Sequence, residues 1–417
     1  MVAVAIPVLI KNACSDQTEL SSCCVCRVDR LNDNGAHNSF EQKAMDTGKR
    51  HLASLDSLRG IGVVLIFANH FGYIRFGWIG LWIFFALSGY LITDSLLKMK
   101  ALPIGQYFGR FYVKRAFRIL PAFIVFFSIS VALYFIFWSQ GDPPLSHFWI
   151  YIVTFTFNHY PQTGMAWFDH LWSLSLEEQF YVVWPWLVFF LPTRWLKRVT
   201  PCWILVAPVL RLTFPWFYAG EMVEASLLCQ ADAFAIGGCV AIFRDELPGP
   251  RRAKRLMWIM TAVIILIGLA NYFAGASRGG PYWKTLGWPH VGLFNYQYVW
   301  GYGFINVWAA ILILACLNGT APSFLNFPPL VFLGRISYGA YLSHLPLLGV
   351  YFHYLNPINE FSVRGFLIFV IWFANVILVA WLSFRFIELP FLRMKNRLGQ
   401  RAGAQLRHGA LNCGPVR

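Results

Sequence analysis

The chain is expected to fold as an all-α bundle that crosses a membrane about ten times, and three features of the sequence carry that expectation. Of its 417 residues 58% are hydrophobic and only 13% are charged, against the roughly 25% charged residues that a water-soluble domain needs to wet its surface. Apolar stretches recur at roughly 18 to 25 residues, the length of helix that crosses a hydrocarbon core of about 30 Å. Clear cases lie at 256–275, 300–317 and 366–386. The 18 Trp and 18 Tyr supply rings with an apolar body and a polar tip, favoured at the membrane–water boundary.

Read in order, the spans fall at 58–74, 78–97, 117–138, 171–191, 199–216, 225–243, 256–275, 299–318, 338–355 and 364–386. Basic residues cluster on alternate connections. Arg110, Lys114, Arg115 and Arg118 lie on one, Arg194, Lys197 and Arg198 on the next, then Arg251, Arg252, Lys254 and Arg255, and finally Arg393, Lys395 and Arg397. The segments between them, 139–170, 276–298 and 356–363, hold few Lys or Arg, so the basic side is cytoplasmic and both termini lie there. An apolar run at 148–157 is too short to span and is read as a re-entrant or surface segment on the outer side. The formal charge of +15 resides in these cytoplasmic loops, so membrane lipid rather than nucleic acid is the expected partner. Residues 1–50 read as a poorly ordered cytoplasmic extension, 51–392 as the transmembrane domain and 393–417 as a basic cytoplasmic tail. Cys14, Cys23, Cys24 and Cys26 in the extension lack histidines at zinc-finger spacing, and no metal or resident cofactor is expected.

Ionisable groups inside a membrane are costly and usually face an interior cavity. The first span opens Leu55-Asp56-Ser57-Leu58-Arg59-Gly60 and continues to Asn69-His70. Arg59 and His70 are separated by almost three whole helical turns, so they share a face, with His70 about 16 Å further along the axis. Asp56, one turn before Arg59, is placed to pair with it. Imidazole is suited to general base work near neutral pH, whereas the bland alternative is an arginine reaching to the interface and a hydrogen-bonded packing histidine. Arg110, Lys114 and Arg118 recur every fourth residue with Arg115 beside them, a basic stripe that either anchors the inner boundary or grips phosphates. Ser88-Gly89 in the second span permits close helix approach. The fourth span opens His170-Leu171-Trp172-Ser173-Leu174-Ser175-Leu176-Glu177-Glu178. Adjacent carboxylates point about 100° apart on a helix, so at most one of the pair readily faces a cavity; Glu177 is the choice, with Glu178 at a helix interface. Further polar groups in spans are Asp232, His344 and Glu388, the last beside Arg385 as a candidate ion pair.

These motifs, in their order from Leu55 to Pro390, resemble the acyltransferase-3 family of integral-membrane O-acyltransferases, which includes O-antigen and exopolysaccharide acetylases. The resemblance rests on Leu-Asp-Ser-Leu-Arg-Gly with its arginine-x10-histidine spacing and on Phe-Phe-Ala-Leu-Ser-Gly-Tyr-Leu-Ile. It rests also on Lys114-Arg115 through Arg118-Ile119-Leu120-Pro121, Leu-Trp-Ser-Leu-Ser-Leu-Glu-Glu-Gln, Ile-Ser-Tyr-Gly-Ala-Tyr-Leu-Ser-His and Ile-Glu-Leu-Pro-Phe. It implies an acyl-CoA co-substrate, commonly acetyl-CoA, a carbohydrate hydroxyl as acceptor, and a multi-pass protein of the inner (plasma) membrane. It places His70, Arg59 and Glu177 in catalysis and Asp56, Lys114, Arg115, Arg118, Trp172, Ser173, Asp232 and His344 at the substrates. Two positions depart from the pattern: Tyr90 replaces a phenylalanine, and Gln230 replaces the arginine expected two residues before Asp232, removing its expected charge partner. A permease or flippase for a lipid or sugar would account for the spans and buried polar groups equally well, and the ordered motifs favour the enzyme.

Overall fold

A computed structural model describes residues 34–137, 144–160, 167–217, 223–276, 282–288, 297–355 and 362–394. The four cysteines of the extension and most of the basic tail lie outside the described residues. Every described element is helical. Each of the ten expected spans falls on a helix: α1 (Asn34–Phe71), α2 (Ile79–Met99), α3 (Ile104–Phe137), α5 (Leu171–Phe190), α6 (Thr193–Phe217), α7 (Ala231–Ile242), α8 (Pro250–Ala276), α9 (Gln297–Leu317), α11 (Ser337–Leu355) and α12 (Val363–Ser383). Two short helices stand between them, α4 (Leu145–Val153) and α10 (Pro328–Arg335). The backbone of α1 begins at Asn34, so residues 34–50 of the expected extension are helical.

Among the described residues five helices are long and apolar enough on their own to cross a membrane: Ile79–Met99, Ile104–Phe137, Pro250–Ala274, Gln297–Leu317 and Val363–Met394. The others fall short in length or in hydropathy. α7 has 12 residues, which rise only about 18 Å, and nearly all of them are buried. At the opposite extreme α8 exposes Leu256, Trp258, Ile259, Leu266 and Phe273, an outward apolar surface that water does not tolerate and lipid does.

The most extensive helix crossing among the described residues is that of α2 with α7, and it explains the small residues there. A Cβ at Gly89 would overlap the carbonyl oxygen of Phe234, and one at Gly237 would overlap that of Ala86. Without a hydrophobic drive between helices in lipid, such close backbone approach is what supplies packing energy. Ser88, one residue earlier, points elsewhere and donates to Glu177, so the pair serves two faces. A core of Trp82, Phe85, Phe234, Phe180 and Tyr302 surrounds the crossing.

The apolar run at 148–157 forms α4 and a following turn rather than a span, as its length requires. Phe148 and Ile152 bury against the rest of the bundle. The chain reverses at Phe155, whose φ of 54° is rare for a side-chain-bearing residue. Gln179 of α5 holds that turn by donating to the Phe155 carbonyl (3.0 Å) and to Asn158 Oδ1 (2.7 Å).

Candidate active site

Five helices frame one cavity of about 350 Å³. From α1 it takes Arg59, from α3 Arg115 and Arg118, from α5 Ser173, Glu177 and Tyr181, and from α11 Tyr338 and Tyr341. Ser88 and apolar residues of α2 close it. α3 explains its position along the bundle. Its apolar part, 119–137, spans about 28 Å, so the guanidinium groups of Arg115 and Arg118 lie at the basic boundary of that part.

The cavity carries both signs of charge. Arg59 Nη1 donates to Asp56 Oδ1 at 2.9 Å, the pairing expected from their spacing, and Arg335 from α10 stands 3.6 Å from the other Asp56 oxygen. Glu177 accepts from Ser88 Oγ (3.2 Å) and Tyr181 Oη (3.1 Å). Arg115 packs its guanidinium over the Tyr181 ring, 5.1 Å from the centroid. One carboxylate of the Glu177–Glu178 pair therefore faces the cavity, as the 100° rule requires, and it is Glu177. The basic stripe divides likewise: Arg115 and Arg118 line the cavity, while Lys114 is exposed and is not part of its lining.

At the other end the cavity is closed by Ser173 and Tyr341, whose oxygens lie 2.5 Å apart while Tyr341 Oη also donates to the His170 carbonyl at 2.8 Å. Beyond that closure stand three histidines. His70 is eleven residues beyond Arg59 on α1, His170 three before Ser173, and His344 three after Tyr341. Their rings form a chain, His70 to His344 at 5.2 Å and His344 to His170 at 5.1 Å between centroids. His70 is exposed and does not line the cavity, so the face shared by Arg59 and His70 runs past the Ser173–Tyr341 closure. Sequence reasoning missed His170, Tyr181, Tyr338 and Tyr341. His170 immediately precedes α5 and Tyr181 lies in it, Tyr338 and Tyr341 belong to α11, and nothing in spacing alone says that these two helices face each other across the cavity.

Trp172 is half-buried against the core outside the cavity lining. Asp232 also lies outside it, and the expected loss of its charge partner is corrected by another helix. Arg211 of α6 takes both carboxylate oxygens, at 3.0 and 2.9 Å, and also donates to the carbonyls of Cys229 (2.6 Å) and Val299 (3.1 Å). Gln230, in the family's arginine position, instead accepts from Trp82 Nε1 at 3.0 Å. The hydroxyl added by Tyr90 is likewise used, accepting from Arg244 at 2.8 Å. The expected Glu388–Arg385 ion pair is not present among the described residues. A π-turn at Phe384–Glu388 buries Glu388 against α11 and leaves Arg385 exposed.

Fold and site together define a membrane-embedded helix bundle with a cationic interior cavity. Residues 52–385 match the family model Acyl_transf_3, described as an acyltransferase domain, and the chain belongs to that family. It is 28% identical over 378 residues to the peptidoglycan O-acetyltransferase OatA of Listeria monocytogenes, covering 82% of this chain and 56% of the relative. It is 24% identical over 373 residues to the O-acetyltransferase OatA of Staphylococcus aureus, covering 82% and 57%. A relative named as a membrane-bound transacylase, BcsY of Komagataeibacter xylinus, is 27% identical over 363 residues, covering 84% and 85%. The chain thus spans little more than half the length of these O-acetyltransferases, 56% and 57%, and most of the transacylase. No solved structure matches.

Proposed function

We propose that the protein is a membrane-bound O-acyltransferase. It moves an acyl group, acetyl first among them, from acyl-CoA to a hydroxyl of a carbohydrate acceptor such as an exopolysaccharide, an O-antigen or a lipid-linked glycan. In this reading ten helices cross the inner (plasma) membrane with both termini cytoplasmic, residues 51–392 are the catalytic domain, and the basic end of the bundle faces the donor. The observation that carries the reading is the convergence of Arg59, Arg115 and Arg118 on one cavity at the basic boundary, beneath a histidine on the same helix as Arg59. The relatives named for O-acetyl transfer support the reaction class.

Guanidinium groups hold phosphate oxygens in forked geometry, so Arg115 and Arg118 grip the donor's phosphates. The acyl arm extends from the cavity toward the histidines. His70 removes the proton of the acceptor hydroxyl as its oxygen attacks the thioester carbonyl. The ester C–O bond forms, the C–S bond breaks, and the departing thiolate takes up a proton. Arg59, on the helix face that leads to His70, steers the donor along that face, and Glu177 balances the arginines around the cavity.

The test uses membranes carrying the full chain, radiolabelled acetyl-CoA and a glycan acceptor. His70→Ala, with insertion and amount verified, is expected to lower label transfer by at least about 100-fold, the scale of general base catalysis. Near-normal transfer would remove His70 from this role. Movement of glycan without thiol release would replace the enzyme with a transporter.

A further inference from the structure

The chemistry above leaves two of the three clustered histidines without a task. His344 is 0% exposed and His170 2% exposed, on different helices, and the His344 ring lies between those of His70 and His170. Both are held rigidly. His344 stacks on Phe67 at 4.9 Å with an interplanar angle of 17°, and Phe67 is one turn before His70 on α1. Its Nδ1 meets the Tyr341 carbonyl at 2.6 Å, and Trp372 Nε1 donates to the His344 carbonyl at 3.3 Å. His170 Nε2 meets the Leu342 carbonyl at 3.1 Å.

Those contacts fix the tautomers. A carbonyl oxygen only accepts, so Nδ1 of His344 and Nε2 of His170 carry the protons. In the neutral rings the remaining nitrogens, His344 Nε2 and His170 Nδ1, are then basic lone pairs. Both atoms are buried and have no hydrogen-bond partner. A packing histidine normally satisfies both nitrogens, because each unmet buried acceptor is destabilising. Of the two, the His344 lone pair belongs to the ring that packs directly against the exposed imidazole of His70.

We propose that His344 is a positioning residue for His70, its Nε2 accepting the second ring N–H of His70. The proposal rests on His70 being the base of the acyl transfer. Turning the exposed His70 ring toward His344 fixes the tautomer in which the other His70 nitrogen presents its lone pair to the acceptor hydroxyl. When His70 takes the hydroxyl proton, its imidazolium keeps the bond to His344, which itself gains no proton. The proton on His70 later passes to the leaving thiolate, so the histidine cluster ends the cycle unchanged. Third-group orientation of a catalytic histidine has this logic wherever a base needs one tautomer.

Amide replacements separate this role from packing. His344→Asn keeps a donor near the Nδ1 position and loses the acceptor near Nε2, whereas His344→Gln reaches the Nε2 position with an oxygen. In the full chain, with acetyl-CoA and glycan, His344→Asn is expected to lower kcat by at least about tenfold, with the acetyl-CoA KM within about twofold. His344→Gln is expected to retain several-fold more kcat than His344→Asn. Equal loss in both, normal kcat in His344→Asn, or a change in KM alone overturns the proposal. Should the variants not insert, 15N spectra of the histidine-labelled parent protein, assigned with His70→Ala, serve instead. One fixed neutral tautomer at His70 supports the proposal, and a rapidly exchanging pair overturns it. Normal turnover in His344→Asn with His70→Ala dead sinks this inference alone, whereas an active His70→Ala sinks the base assignment beneath it.

Discussion

Replacing Asp232 by Asn tests whether the buried Arg211–Asp232 pair is structural or belongs to substrate binding. The substitution keeps the shape and removes one charge. Arg211 and Asp232 are 0% and 2% exposed at their side chains, and two parallel hydrogen bonds join them. Removing one member of such a pair strands the other in a medium of low polarity, at a cost of about 3–5 kcal/mol. Here the guanidinium keeps its bonds to the Cys229 and Val299 carbonyls and its place 5.4 Å from the Tyr302 ring centroid. The expected loss is therefore near the lower end, about 3 kcal/mol. At about 2 °C per kcal/mol for a chain of this size, the Tm in detergent micelles should fall by about 6 °C. Removing both charges, as Arg211→Met with Asp232→Leu, should recover most of that loss, because neither group is then left uncompensated. Scanning fluorimetry of the purified full chain reads the effect. An unchanged Tm in Asp232→Asn with acyl transfer abolished would refute the structural account and return Asp232 to the substrate.

Two further outcomes follow from the packing and the cavity. Gly237→Ala should destabilise the bundle by about 2 kcal/mol or more, since its Cβ would overlap the Ala86 carbonyl and push α2 from α7. Gly105→Ala on α3, where a Cβ meets nothing, should be neutral or slightly stabilising, and the two melting curves compared in parallel give the answer. Arg115→Ala and Arg118→Ala should each raise the KM for acetyl-CoA by about tenfold or more, the worth of a lost charge-assisted hydrogen bond, while Lys114→Ala should stay within about twofold. Equal effects at all three positions would mean that the stripe acts through general positive charge rather than through the cavity.

Composition and periodicity were enough for the helices and for apolar stretches long enough to cross a membrane. Those properties are local, set by how each stretch of about twenty residues meets lipid or water. The Asp56–Arg59 pair and the choice of Glu177 over Glu178 were legible for the same reason, because helical geometry fixes angles between near neighbours. The sequence could not say that Arg115 and Arg118 rather than Lys114 turn inward, since a stripe has no inside until another helix packs on it. Nor could it find Arg211 for Asp232, which comes from a different helix, or the meeting of His70 with His170 and His344. Partners distant in the chain are chosen by which helix faces touch, and that choice depends on small residues such as Gly89 and Gly237 that admit one crossing and not another.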